Sequence, residues 1–281
     1  MFAAVDIGGT KLLSAAAERE AAGSWRLGTV VRRSTPMQGA LEALVAMVEE
    51  ACGEEAPEAV AVAVPGPFDR RAGRLIDPPN VPPSWWGLDL RAGLGGHFGC
   101  PVAVENDANC AALAEARWGA AAGTRTSVYL TVSTGIGSGV VVDGRLLPGR
   151  HDTEGGHMVL WPRWLGGPAC HCGGHGCLEA LASGSAILRR FGRPPEELED
   201  QEAWDDVGRW LGLAVVTLTS THDCEAVVLG GGVVASADRF WPALTATVAS
   251  ELRIQPPPRI LRAALGVERN LHGALTLVGA G

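Results

Sequence analysis

Three short apolar runs, each ending in a glycine-rich turn, limit what this chain can fold into. Phe2-Ala3-Ala4-Val5-Asp6-Ile7 leads into Gly8-Gly9-Thr10-Lys11. Residues 127–133 lead into Thr134-Gly135-Ile136-Gly137-Ser138-Gly139, and Val227-Val228-Leu229 into Gly230-Gly231-Gly232. Each reads as a strand stopped by a tight turn. Glycine lets the main chain approach phosphate oxygens, and its N–H groups donate with no side chain in the way. Thr10 adds a hydroxyl, and Asp6 at a strand end can hold Mg²⁺ directly or through water. One such turn alone is ordinarily a hairpin tip. A dinucleotide fold needs G-x-G-x-x-G opening a helix. Residues 135–139 lack that spacing and run into a strand, and no Gly-Lys-Ser/Thr Walker pattern occurs.

Apolar spacing predicts further strands over 12–17, 29–35, 59–64, 102–104 and 226–229, and a hairpin of 127–133 with 139–143. Helical spacing covers 39–52, 204–221, 238–252 and 270–278, with another helix capped by Asn106 or Asp107 and running to 117. Residues 77–88 form a Pro- and Trp-rich loop. Strands alternating with helices define an α/β class.

With 281 residues, 47 % apolar and 19 % charged, the chain can bury a sizeable core and is not a disordered segment. A net charge of −8 with no basic stripe argues against nucleic acid as a partner. No apolar run reaches about 18 residues, so no membrane span is expected. The first residues lack a basic region followed by an apolar stretch, which predicts a cytoplasmic protein with no signal peptide. In a reducing compartment Cys52, Cys100, Cys110 and Cys224 are expected as small buried hydrophobes.

Two clusters carry chemistry. Glu105-Asn106-Asp107 follows a strand and opens a helix. Asp107, ionised at neutral pH, can take a proton from a hydroxyl attacking phosphorus, and Asn106 can pair with a sugar hydroxyl. Either residue also suits a helix N-cap, and the two roles are compatible. Cys170-His171-Cys172-Gly173-Gly174-His175-Gly176-Cys177 places three thiols within eight residues, without a C-x-x-C redox pair. Tetrahedral Zn²⁺ suits them, with His157, His171 or His175 as the fourth ligand, and a site filled by protein is structural.

Together, residues 6–11, Glu105-Asn106-Asp107, Glu154-Gly155-Gly156-His157 and the run from Cys170 to Glu179 resemble the ROK family (repressors, open reading frames and kinases), from Asp6 through Gly230-Gly231-Gly232 to Gly273-Ala274. The resemblance implies an actin-like, ribonuclease-H-like fold of two domains, 1–116 joined by a C-terminal helix in 267–281, and 117–266 with the zinc loop. Sugar and ATP would lie between the domains. It implies Asp107 as catalytic base and Asn80, Asn106, Glu154, His157 and Glu179 as sugar contacts. His157, Cys170, Cys172 and Cys177 would be the zinc ligands. Asp6, Gly8, Gly9, Thr10, Lys11, Thr134, Gly135, Gly230, Gly231 and Gly232 would serve ATP and Mg²⁺.

The activity implied is ATP-dependent phosphorylation of a hexose 6-hydroxyl, glucose first, by a homodimer. The alternatives are an N-acetylmannosamine or N-acetylglucosamine kinase, a polyphosphate-using kinase, and a non-catalytic or regulatory ROK protein. A ROK repressor carries a helix-turn-helix domain ahead of this part, and a phosphate turn at Asp6 leaves no room for one. A non-catalytic member would be expected to lose Asp107 or the glycine turns. Thr153 stands where the family has glycine, residues 185–204 are short enough to lack a helix, and Trp85, Trp86, Trp161 and Trp164 are read as packing.

Overall fold

The computed structural model describes residues 1–20, 23–147 and 152–278. The chain divides into two compact units, Met1–Ala114 with Leu265–Gly281, and Glu115–Ala264.

In the first unit, β1 (Phe2–Ile7) and β2 (Lys11–Arg19) make an antiparallel hairpin around the Gly8-Gly9-Thr10 turn. β3 (Trp25–Leu27) and β4 (Val31–Ser34) both pair with β2. Then follow α1 (Ala40–Cys52), β5 (Val60–Val64), the hairpin of β6 (Phe68–Asp69) and β7 (Arg74–Leu75), α2 (Leu90–Phe98), β8 (Val102–Asn106) and α3 (Asp107–Trp118). β1, β5 and β8 run parallel, with Asp6, Ala63 and Glu105 in register. β5 reads Val-Ala-Val-Ala-Val and is buried throughout, as a central parallel strand must be. Val5, Ile7, Leu44, Met47, Val62, Leu90 and Leu94 belong to its core.

The second unit holds β9 (Thr126–Val132), β10 (Ile136–Val142), β11 (Arg145–Leu146), α4 (Leu178–Ala182), α5 (Gly184–Phe191), α6 (Gln201–His222), β12 (Ala226–Gly230), α7 (Ala237–Glu251) and β13 (Arg259–Arg262). Its sheet order is β11-β10-β9-β12-β13, with β9, β12 and β13 parallel. Val207, Leu211 and Val215 of α6 join Phe240 and Leu244 of α7 in a core with Val128, Leu130 and Val227 of the sheet. α8 (Arg269–Leu275) belongs to the first unit, where it packs on β1 and β5 with Leu271, Ala274 and Leu275 buried. Among the described residues, no helix is long and apolar enough to cross a membrane.

Several expectations change. The strand expected over 29–35 is β4 alone, and β3 precedes it beyond Gly28, whose N–H bonds to the Ala16 carbonyl at 2.8 Å. β10 starts at Ile136, so Gly137 and Gly139 lie within a strand rather than at the hairpin tip. α2 was not foreseen because Gly93, Gly95 and Gly96 depress helix propensity. Its Asp89 cap, accepting from the Ala92 N–H at 2.9 Å, and its buried Leu90 and Leu94 override that. α5 fills the start of the stretch expected to lack a helix, capped by Ser183. Cys52, Cys110 and Cys224 are buried as expected, whereas Cys100 is only partly so. Trp85 is a core residue, but Trp86 and Trp164 are exposed, the latter by 83 %. Trp161 stacks on Trp210 at 5.6 Å.

Candidate active site

In the first unit the register brings the sequence-predicted residues to one sheet edge. Parallel strands lie about 4.8 Å apart, so the carboxyl ends of β1 and β8, separated by β5, are about 10 Å apart. Asp6 is the penultimate residue of β1, and Asp107 follows β8. The turn after β1 is tied by the Gly8 N–H to the Lys11 carbonyl at 3.0 Å, and by the Thr35 hydroxyl to the Gly8 carbonyl at 2.6 Å. Gly9 lies so close to the loop bearing Asn80 that a Cβ on it would fall 2.0 Å from the Asn80 carbonyl oxygen. The Gly8-Gly9-Thr10 turn and Asn80 are therefore neighbours, with Asn80 and Thr10 exposed.

Asp6 receives a hydrogen bond from Asn270 Nδ2 of α8 at 3.1 Å. Although some of the residue reaches solvent, burial of its carboxyl pushes the pKa up to about 6, opposed by Asn270 and then by Lys11 and Arg269. Such a carboxyl gains much from a cation. Asn106 caps α3, its Oδ1 accepting from the Ala108 and Asn109 N–H groups at 2.9 and 3.3 Å. The capping role is real, and it leaves the Asn106 amide nitrogen for other partners. Asp107 Oδ1 accepts from the Ala108 N–H at 2.8 Å, and the residue is partly exposed.

The second unit gathers the remaining residues. Gly231, at φ 94°, sits so tightly against the end of β9 that a Cβ would lie 2.4 Å from the Val132 carbonyl oxygen. Gly184 and Ser185 N–H groups, opening α5, bond to the Ser133 and Thr134 carbonyls at 2.7 and 3.2 Å. The Thr134-Gly135 and Gly230-Gly231-Gly232 turns thus adjoin. Ser138 ties down the turn that carries Glu154: its hydroxyl donates to the Thr153 carbonyl at 2.6 Å and accepts from the Gly155 N–H at 2.7 Å. Glu154 is exposed, yet the protein around its carboxyl raises its pKa by desolvation. Glu179 is buried, with Oε2 accepting from the Ile136 N–H at 2.9 Å and Oε1 lying 2.8 Å from His171 Nδ1.

The cysteine loop gathers four side chains that could hold a metal ion. One donor atom each from His157, Cys170, Cys172 and Cys177 lies within 4.8 Å of the others. Cys172 and Cys177 sulfurs are 3.7 Å apart, and His157 Nδ1 is 3.8 Å from Cys170 Sγ. Tetrahedral Zn²⁺ with bonds of about 2.3 Å requires sulfur separations of about 3.8 Å. Burial, with neighbouring Cys172 and Cys170, pushes the Cys177 thiol up to about 12. Of the three candidate fourth ligands, His157 alone joins the three thiols, whereas His171 falls into a second grouping with His157 and Glu179.

Sequence reasoning missed Asn270, Ser138 and the Ile136 N–H. Asn270 meets Asp6 across 264 positions, and no local pattern marks such a partner. Ser138 was visible only as part of a glycine-rich run.

Two α/β units, each with glycine turns at strand ends and one carrying a thiol-rich loop, define a protein of the actin-like two-domain fold. A model of the ROK family matches residues 2–280, and the chain belongs to that family. It is 34 % identical to a kanosamine kinase of Amycolatopsis mediterranei over 98 % of this chain and 95 % of that protein. It is 40 % identical to a fructokinase of Zymomonas mobilis over 59 % of this chain, and that match spans 57 % of the fructokinase. Among solved structures it is similar to a ROK hexokinase from Thermus thermophilus, with a TM-score of 0.87 and 38 % identity, over 100 % of this chain and 99 % of that one. It is also similar to a ROK glucokinase from Streptomyces griseus in complex with glucose and AMPPNP, with a TM-score of 0.79 and 28 % identity, covering 98 % of both chains.

Proposed function

We propose that this chain transfers the γ-phosphoryl group of ATP to the primary 6-hydroxyl of a hexose, with glucose as the first substrate. The observation that carries the reading is the edge of the first sheet. There the Gly8-Gly9-Thr10 turn with Asp6 lies at the carboxyl end of β1, and Asp107, a carboxylate able to act as base, follows the carboxyl end of β8, across β5 in the same sheet. Asp107 takes the hydroxyl proton as that oxygen attacks phosphorus. Asp6 serves Mg²⁺, and the turns at residues 8–11, 134–135 and 230–232 donate main-chain N–H groups to the nucleotide phosphates. Asn80, Asn106, Glu154, His157 and Glu179 hold the sugar. The glucokinase similar to this chain was solved with glucose and an ATP analogue, which supports both ligands.

His157, Cys170, Cys172 and Cys177 hold one Zn²⁺, which fixes the loop leading to Glu179 and orients His157. We read 1–116 with 267–281, and 117–266, as the two catalytic domains, a reading the two compact units support. The protein works as a cytoplasmic homodimer.

A coupled assay of ADP release over hexoses, fructose, 3-amino-3-deoxyglucose (kanosamine) and N-acetylhexosamines, with ATP and with polyphosphate, tests the proposal. Turnover of glucose with ATP supports it. Turnover confined to another sugar replaces glucose. No turnover of any sugar by zinc-loaded protein refutes the kinase reading in favour of a regulatory or non-catalytic ROK protein.

A further inference from the structure

We propose that Arg70 is a positioning residue for Asp107, acting through Glu105. The inference rests on the kinase reading above. Glu105 is 3 % exposed, and its carboxylate lies directly beneath the turn that carries Asn106 and Asp107. Its Oε1 accepts from the Asn106 main-chain N–H at 2.7 Å and from Asn109 Nδ2 at 2.9 Å. Its Oε2 is paired with the Arg70 guanidinium. One buried carboxylate therefore grips the turn on one side and a cation on the other. A buried charge that loses its partner is strongly unfavourable and must swing toward water or take up a proton. Swinging away withdraws Oε1 from the Asn106 N–H, and protonation leaves it a weaker acceptor, one residue ahead of the base.

Arg70 is itself built to hold this position. It sits in the turn of the β6 and β7 hairpin, where Asp69 Oδ1 accepts from the Arg71 and Ala72 N–H groups at 2.9 and 3.0 Å. Its guanidinium lies 5.5 Å from the centre of the Phe68 ring. From α2, Arg91 donates to the Arg71 carbonyl at 2.5 Å and to the Arg70 carbonyl at 3.4 Å. The turn that carries Arg70 is thus held in place, and the planar guanidinium over Phe68 loses less freedom in forming the pair than a flexible ammonium would. Placement of reacting groups is where rate is most sensitive, since a displacement of about 1 Å can cost about a hundredfold.

The experiment measures kcat and KM for the sugar, with melting temperature, for Arg70→Ala, Arg70→Lys, Glu105→Gln and the double variant Arg70→Ala/Glu105→Gln. Arg70→Ala is expected to lower kcat by about ten- to a hundredfold, with KM moved less than about threefold. Arg70→Lys, which keeps the cation, is expected to recover most of the rate. The double variant is expected to lose no more than the worse single one, because both changes break the same Arg70–Glu105 pair. A parent-like kcat for a folded Arg70→Ala protein overturns the inference, as do losses that multiply in the double variant. Asp107→Asn separates the two proposals. If it retains the parent rate, the reading of Asp107 as base fails. If it is inactive while Arg70→Ala is not, only the role of Arg70 fails.

Discussion

At the scale of single residues, two carboxylates at the same end of one sheet sit in different settings. Asp107 is partly exposed at a helix start, a setting that suits a base. Replacing it by Asn keeps the shape and removes proton acceptance. The expected loss is about 10² to 10⁴ in kcat, read by steady-state kinetics, with sugar KM little changed. Asp6 is a carboxyl whose native pKa, about 6, lies above its ordinary value of 3.8. Burial disfavours its charge, so folding is favoured when it is protonated. Its contribution is fully favourable below pH 3.8 and is lost as pH rises through 6. Asp6→Asn is therefore expected to stabilise the metal-free protein by about 1–2 kcal/mol at pH 7, the full shift being reduced by the water that still reaches the residue. The gain should vanish near pH 4 and be accompanied by loss of Mg²⁺-dependent turnover. Denaturant melts at the two pH values check the sign.

At the scale of elements, the sequence was most informative where burial and period agree. β1, β5, α1, α6 and α7 were legible because their apolar positions recur at strand or helix spacing. The Gly8-Gly9-Thr10 turn and the cysteine loop were legible because few chemistries use such residues so close together. α2 was hidden by its glycines. β3, β6, β7 and β13 are too short for a period to register. The partners that hold the candidate site were hidden for another reason. Arg70 meets Glu105 across 35 positions, and Ser138 meets Gly155 across 17, so only the fold brings them together. Ser138 gives the prediction proper to this scale. Ser138→Ala removes both bonds that fasten the turn carrying Glu154. Sugar KM is expected to rise several-fold, with about 1–3 kcal/mol lost from stability. Kinetics and chemical denaturation of one preparation measure both.

For the molecule as a whole, the zinc proposed for the cysteine loop would couple folding to a metal ion. Metal analysis of purified protein is expected to give one zinc per chain. Chelation should lower the melting temperature, because binding free energy at a structural site is folding free energy. Cys177→Ser is expected to reduce zinc content and weaken sugar binding together, since Glu179 follows it closely on α4. A chain with no zinc and an unchanged melting temperature in chelator would contradict that role.

The hydrogen bond from Asn270 to Asp6 also has a meaning in time. The second unit is one continuous stretch, Glu115–Ala264, and can complete itself while the ribosome is still working. The first unit cannot. β1 emerges well before α8, which packs on it and satisfies Asp6. At about 5–20 residues per second the opening strand waits on the order of tens of seconds for its lid. The nascent chain thus carries the Asp6 end of β1 without its Asn270 partner until α8 is made, and a chain stopped before position 270 never acquires it.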